Sequence, residues 1–282
     1  MTQTKATVYQ TITGDIINAM ETSGTDWIKP FLGGGAPVNL EGRPYTGINR
    51  LVLGLKGGGR WGTYRAIKAA GGQVRRGERG TTGIYYLAKG KEVVDGVVIK
   101  EGFMAGIPFT VFSTSQTDGL EALATVAGDA VDAIQAADEF IEATGAVIIE
   151  GDDGAYYRPA TDTIHLPKTW RNTAHATATA GRYMTALHEL SHWSGAANRL
   201  DRTFGQSFGD SAYAAEELVA ELTSAYLSSD LGITGDQDAG HIASHAKYLT
   251  GWIKALKADP NAIFQAARMA TKSAAYLHGE RG

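Results

Sequence analysis

The chain has 282 residues, 43% of them hydrophobic, enough material for one large domain or two ordinary ones with packed cores. It contains no cysteine, which excludes disulfides and thiolate-bound zinc and leaves any metal chemistry to His, Asp and Glu. The formal net charge of −4 conceals an asymmetry: residues 1–120 carry 14 Lys and Arg against 9 Asp and Glu, whereas the remainder carries 12 against 21. A basic half joined to an acidic one points to a nucleic-acid-binding segment attached to something else.

The opening "MTQTKATVYQTITG" has neither the apolar run nor the small-residue cleavage site of a secretory signal, and no stretch approaches membrane-spanning length. A soluble cytoplasmic protein with no membrane partner is expected. In "TVYQTITGDIINAME", residues 7–21, Val8, Ile12, Ile16, Ile17 and Met20 fall near helical spacing, with Gly14 as a weak point. "TSGTDWIKPFLGGGAPVN" reads as loop, and "WGTYRAIKAAGG" as a short helix ended by Gly71. From about Thr81 the pattern turns to β, with β-branched and aromatic runs separated by Gly-containing turns, including "VVDGVV" as a hairpin with Asp-Gly at its tip. The first half is therefore predicted as a curved antiparallel sheet with flanking helices.

"SQTDGLEAL" breaks that pattern, and we place the domain boundary there, dividing the chain into residues 1–118 and 119–282. Residues 121–144 are Ala-rich and acidic, and "AVIIEGDDGAYYRPATDTIHLP" supplies two or three short strands. Helices are predicted over 181–194, 212–230, 238–258 and 260–277, with Asp259 and Pro260 as N-cap and first residue of the last. The whole is α+β, with a mainly helical second domain holding a small sheet.

Between Arg43 and Arg79 stand nine basic residues and one acidic, Glu78, interleaved with aromatics; Trp27, Tyr85 and Tyr86 flank the run. Cationic side chains that track phosphates and rings that stack on bases are what a single strand requires. The candidate contacts are Lys29, Arg43, Tyr45, Asn49, Arg60, Trp61, Tyr64, Arg65, Arg75, Arg76 and Arg79. The plainer alternative is that the aromatics are core and the charges a solvated face.

"ALHELSHWSGAANRL", residues 186–200, contains H-E-x-x-H. One helix brings His188 and His192 onto a single face, where both can hold one ion, with Glu189 beside them to take a proton from an attacking water. The longer H-E-x-x-H-x-x-G-x-x-H pattern fails at Asn198, so the third ligand must come from elsewhere. "DSAYAAEELVAELTSAYLSSDLG" offers a second helix, whose apolar stripe is Leu218, Leu222, Ala225 and Tyr226. On it Glu217 is the preferred third ligand and Glu221, one turn on, a partner to a histidine; Glu216, about 100° away, is the alternative ligand. Two His, one Glu and a water make an open, catalytic type of zinc site. "RPATDTIHLP" reads equally as an edge strand along the cleft that pairs with an extended peptide or as an ordinary structural strand. Tyr156, Tyr157, Tyr213, His165, His241 and His245 are candidate oxyanion stabilisers.

"YQTITGDIINAMETSGTDWIKPF", "GRPYTGINRLVL", "WGTYRAIKAAGGQVRRGERGT" and "VFSTSQTDGL" resemble the N-terminal domain of the ArdC-type antirestriction proteins of plasmids and phages. "YRPATDTIHLP", "ALHELSHWSG", "NRLDR" and "YAAEELVAEL" resemble that family's C-terminal zincin-like, gluzincin-type metallopeptidase domain. The resemblance covers nearly the whole chain. It implies a single-stranded-DNA-binding domain, a zinc domain related to Spartan-type proteases of DNA-protein crosslinks, and protection of incoming DNA from host restriction. Partners would then be single-stranded DNA and host restriction enzymes or other DNA-bound proteins. Carried over by motif, His188, His192 and Glu217 are the zinc ligands and Glu189 the catalytic glutamate. The chain departs from many relatives in having Ala196 where they have a His. A zinc peptidase acting on DNA-associated proteins is one expectation; a DNA-masking protein whose metal domain is structural is the other.

Overall fold

In the computed structural model, residues 7–32, 35–89, 92–94, 97–100, 103–120, 130–172, 177–203, 211–233 and 246–280 are described. The chain opens on α1 (Val8–Ser23), set by a capping box in which the Thr7 hydroxyl accepts from the Gln10 amide and the Gln10 side chain accepts from the Thr7 amide. Ile12, Ile16 and Met20 form its buried face, while Gly14 lies on the exposed face and does not interrupt it. The segment expected as loop winds instead into a 3-10 turn (Gly24–Leu32) that buries Trp27 and Ile28.

The main sheet has the order β1 (Val38–Asn39), β2 (Arg60–Gly62), β7 (Phe103–Ser113), β4 (Thr81–Lys89), antiparallel except for the β1–β2 pair. β4 and β7 stay in register from Thr81 opposite Val111 to Lys89 opposite Phe103. β5 (Glu92–Val94) and β6 (Val97–Lys100) pair as a hairpin whose expected Asp95-Gly96 tip lies outside the described residues. β3 (Gln73–Val74) pairs with β8 (Thr117–Asp118), and α3 (Tyr64–Ala69) gives way to Gly71 at φ +87°, a left-handed position that favours glycine. A further helix, α2 (Gly47–Gly54), was not expected, because its eight residues begin and end in glycine and hide a short Ile48, Leu51, Val52 stripe. Asn49 on α2 holds the sheet: its side-chain amide donates to Ile84 O at 2.7 Å and its oxygen accepts from Ile84 N at 2.8 Å. Gly83 permits that approach, since a Cβ there would stand 2.6 Å from the Phe109 ring and 3.0 Å from Asn49 Oδ1.

The second half begins, in the described residues, with α4 (Ala130–Thr144) and a three-stranded sheet in the order β10 (Tyr156–Arg158), β11 (Thr163–Pro167), β9 (Val147–Asp152). β11 is therefore the central strand, antiparallel to β10 and parallel to β9. This corrects the edge-strand reading: both of its backbone edges are already paired, and no peptide can add to it. Ile164 and Leu166 of β11 are fully buried in the core that also takes Leu187 and Leu190 of α5 (Ala178–Ser194). α6 (Ser211–Asp230), α7 (Ala246–Ala258) and α8 (Ala262–Leu277) complete the helical layer. α8 starts two residues later than predicted; Asp259 still closes its entry, through Oδ1 accepting from Asn261 N at 2.8 Å. No helix among the described residues is long and apolar enough to cross a membrane.

One hydrophobic core runs across both halves, joining Ile12, Ile16, Met20, Trp27, Ile48 and Leu51 to α5, α6 and α8. Arg50, counted above among the basic run, is buried at this junction. Its guanidinium donates to Tyr226 O and to Asp230 Oδ1, both at 2.7 Å, and lies 4.4 Å over the Tyr226 ring. Arg50→Ala takes the cation away from a largely buried Asp230, so the unfolding free energy is expected to fall by about 2–3 kcal/mol. Urea denaturation of the full chain checks this; a midpoint equal to wild type would show that the clamp contributes nothing.

Candidate metal centre and nucleic-acid surface

Two packed helices build the centre. α5 carries His188, Glu189 and His192 on successive turns, and α6 crosses it with Glu216, Glu217 and Glu221. The three α6 carboxylates are 6%, 7% and 6% exposed, so they are charges held inside the protein that require partners. Glu189 is buried as well.

His188 Nε2 and His192 Nε2 stand 3.2 Å apart, with Glu217 Oε1 3.5 Å from the second and Glu217 Oε2 3.7 Å from the first. Atoms about 2.0–2.1 Å from one tetrahedral ion lie about 3.4 Å from each other. The three side chains thus have the spacing of one face of such a coordination shell. The outer nitrogens set the tautomer: His192 Nδ1 donates to Glu216 Oε1 at 3.1 Å, and His188 Nδ1 faces Glu221 Oε2 at 3.8 Å. With protons on both Nδ1 atoms, both Nε2 lone pairs turn inward toward a carboxylate. Three acceptors converging in a buried site repel one another unless a shared proton or a cation stands between them, and this donor set fits a divalent ion.

The electrostatics agree. Burial opposes charge on His188, but the facing carboxylates of Glu217, Glu221 and Glu189 prevail and hold it well above the usual imidazole range. Burial likewise works to raise Glu217, yet the imidazoles of His188 and His192 beside it bring it down to about 2. Glu216 is lowered too, His192 and Arg202 outweighing its burial.

The sequence reading missed two members of this site. Glu216, considered only as an alternative ligand, instead grips the outer nitrogen of His192, while the guanidinium of Arg202 grips Glu216. The available signal was a third carboxylate, next to Glu217 on the same turn, and the second arginine of "NRLDR". Of the oxyanion candidates, Tyr213 lies beside the centre: its hydroxyl stands 3.2 Å from the Tyr248 hydroxyl, and burial, that neighbour and the Glu217 charge push its titration up, so it stays a protonated donor. Tyr156 and His165 instead share Asp152, at 2.9 and 2.6 Å, and Tyr157 bonds Asp162. His241 and His245 lie outside the described residues.

In the basic half, two of the proposed contacts need correction. Trp61 is 2% exposed, packed with Leu53 and Val111, and its indole N–H donates to Gly58 O at 2.7 Å, so no base can stack on it. Asn49 has both side-chain atoms committed to β4, as above, and Trp27 is core. The Lys29 side chain lies outside the described residues. Arg43, Tyr64, Arg65, Arg75, Arg76 and Arg79 are exposed, Tyr45 and Arg60 partly so. A groove of about 500 Å³ is lined by Tyr64, Gln73, Arg75, Arg76 and Phe112, with Glu78 and Asp118 at its wall. Arg75 also ties the groove together, donating to Thr117 O at 3.0 Å and pairing with Glu78 at 3.3 Å.

Residues 6–112 match the family described as the N-terminal domain of anti-restriction factor ArdC, and residues 135–269 match the family described as zincin-like metallopeptidase. The crystal structure of the antirestriction ArdC protein from the R388 plasmid, in its metal-free form, superposes with a TM-score of 0.75 at 34% identity over 98% of each chain. Its Mn(II)-bound form gives 0.72 over the same coverage. The uncharacterized protein y4eC of Sinorhizobium fredii is 33% identical over 99% of this chain and 94% of its own. A DNA primase TraC of Escherichia coli is 37% identical over 96% of this chain, which spans only 27% of the primase.

Because His188 carries a proton in the metal-free protein at neutral pH, an incoming divalent ion must expel it. Binding of zinc or manganese is expected to release about one proton per ion, with affinity rising about ten-fold per pH unit below the His188 pKa. Calorimetric titrations in buffers of different ionisation enthalpy measure that release; an affinity flat between about pH 6 and 8 would contradict it.

Proposed function

The chain belongs to the ArdC family of antirestriction proteins, and from that premise we propose that it binds single-stranded DNA entering a cell and uses a zinc centre to cut proteins acting on that DNA. The observation that carries this reading is the convergence of His188, His192 and Glu217 one residue from a buried Glu189. A purely structural site has no use for that fourth carboxylate. Zinc is favoured over manganese by the donor set, two imidazoles and one carboxylate, which is the open ligand arrangement of zinc hydrolases. We place the division between the halves near residue 118; the family matches, ending at 112 and beginning at 135, support it.

His188, His192 and Glu217 would hold the ion, with Glu221 and Glu216 orienting the imidazoles. When bound, zinc supplies Lewis acidity toward water and toward a peptide carbonyl. Glu189 accepts the proton of the attacking water and passes it to the departing amine. Tyr213, kept protonated beside Glu217, is the neutral donor available to the oxygen that gains charge. In the basic half, Tyr64 offers an exposed ring, Arg75 frames the groove, and Arg76, Arg79, Arg65 and Arg43 present cations to phosphates. Such a surface holds a strand without reading its sequence, which suits a protein that must protect whatever DNA arrives, in the cytoplasm of its host.

The test measures bound zinc and cleavage of DNA-bound proteins, with and without single-stranded DNA, for wild type and Glu189→Gln. The variant is expected to keep its zinc and lose about 10²–10⁴ in rate. If both proteins hold zinc and neither cuts anything while antirestriction persists, the peptidase reading fails and a DNA-masking role remains. Single-strand binding by the full chain should weaken steeply with salt, and Arg76→Ala should reduce the slope of log affinity against log salt by about one. Fluorescence anisotropy reads this, and salt-independent binding would exclude the groove.

A further inference from the structure

We propose that Arg202 is a positioning residue for the metal centre: it fixes Glu216 against His192 Nδ1 and thereby decides which nitrogen of His192 faces the ion. The inference rests on the metal-centre reading above. Arg202 and Glu216 are each 6% exposed in their side chains. The guanidinium meets the carboxylate as a fork, Nη2 donating to Oε1 at 2.7 Å and Nε to Oε2 at 3.0 Å. Its other donors are equally engaged: Nη2 to Ser191 O at 2.6 Å, Nη1 to Ser194 Oγ at 3.1 Å and to Ser273 Oγ at 2.6 Å.

All five N–H groups of the arginine are thus used, on α5, α6 and α8 at once, and the acceptors on α5 flank His192 on either side in sequence. A lysine could not reproduce this, because the two-point grip that prevents Glu216 from turning away needs a planar fork. The loop after α5 is bent to deliver it: Leu200 N donates to Ser194 O, Asp201 N to Ala196 O and Arg202 N to Gly195 O, with Asp201 at φ +48°. A non-glycine residue in that left-handed region carries some backbone strain, least for Asn and Asp. The strain is tolerated where it turns Arg202 inward. His188 has a looser arrangement, Glu221 standing 3.8 Å from its Nδ1 against 3.1 Å for Glu216 and His192. His192 is therefore the rigid ligand of the pair, and His188 the one that adjusts.

Zinc affinity of the full chain, by chelator competition, is compared for wild type, Arg202→Met, Arg202→Lys, Glu216→Gln and the Arg202→Met, Glu216→Gln double variant. Thermal unfolding of the metal-free proteins and visible spectra of their cobalt-substituted forms are recorded alongside. Each single variant is expected to bind zinc about ten-fold or more weakly, with an altered cobalt spectrum, while remaining folded. The double variant should bind no more weakly than the poorer single one, because Arg202 acts through Glu216. Losses that add in the double variant, or affinities within about two-fold of wild type in folded single variants, overturn the proposal. Should Arg202→Met fail to fold, Arg202→Lys decides: a wild-type affinity and spectrum overturn the positioning role, and weakened binding with a shifted spectrum supports it. A wild-type protein that takes up neither zinc nor cobalt overturns the metal-centre reading as well. Wild-type binding with indifferent variants overturns only the role of Arg202.

Discussion

Three buried carboxylates on two successive turns of α6 set the terms for everything around them. An ionised carboxylate without a partner cannot remain in an apolar interior, so each must be answered by a charge or a strong donor. Glu216 is answered by Arg202 and His192, Glu217 by both imidazoles and Tyr213, and Glu221 by His188. This requirement fixes how closely α5 may lie to α6, which faces of the two helices meet, and why the loop after α5 must double back. The three-stranded sheet beneath α5 and the serine contributed by α8 hold that geometry from outside.

The same helix connects the centre to the other half of the molecule. Near its C-terminal end, Tyr226 O and Asp230 receive Arg50, while the Tyr226 hydroxyl donates to Gly47 O at 3.3 Å. On α2, Asn49 and Arg50 are adjacent in sequence and so point in different directions, the first into the main sheet and the second into α6. One short helix is thus held at once by the strand that leads toward the exposed Tyr85 and Tyr86 and by the helix that carries the acidic cluster. The two surfaces share a frame even though they belong to different halves of the chain.

Much of this was legible because periodicity is a local property. The faces of α1 and α6 and the shared face of His188 and His192 follow from residues separated by one or two turns, and the β character from about Thr81 from its β-branched and aromatic runs. What was not legible depends on distant partners. α2 is too short and too glycine-rich to announce itself, and it is stabilised by contacts with residues 35 and 176 positions away. An aromatic in a basic stretch reads equally well as a stacking platform or as core, and only the burial of Trp27 and Trp61 separates these from the exposed Tyr64. Likewise, strand order cannot be derived from "RPATDTIHLP" alone, since whether β11 lies at an edge is decided by where β9 and β10 dock. The role of Glu216 escaped because its meaning comes from Arg202, whose approach no helical wheel describes.

The continuous core across the two halves bears on how such a protein can be handed from one architecture to another. Cutting the chain near residue 118 would bare the apolar sides of α1, the 3-10 turn and α2 on one piece and the matching sides of α6 to α8 on the other. Neither fragment would have water-compatible surfaces where they parted, and both would be prone to stick. The stretch of the longer primase that resembles this chain takes in 96% of it and so both halves together, in keeping with a core that neither half completes alone.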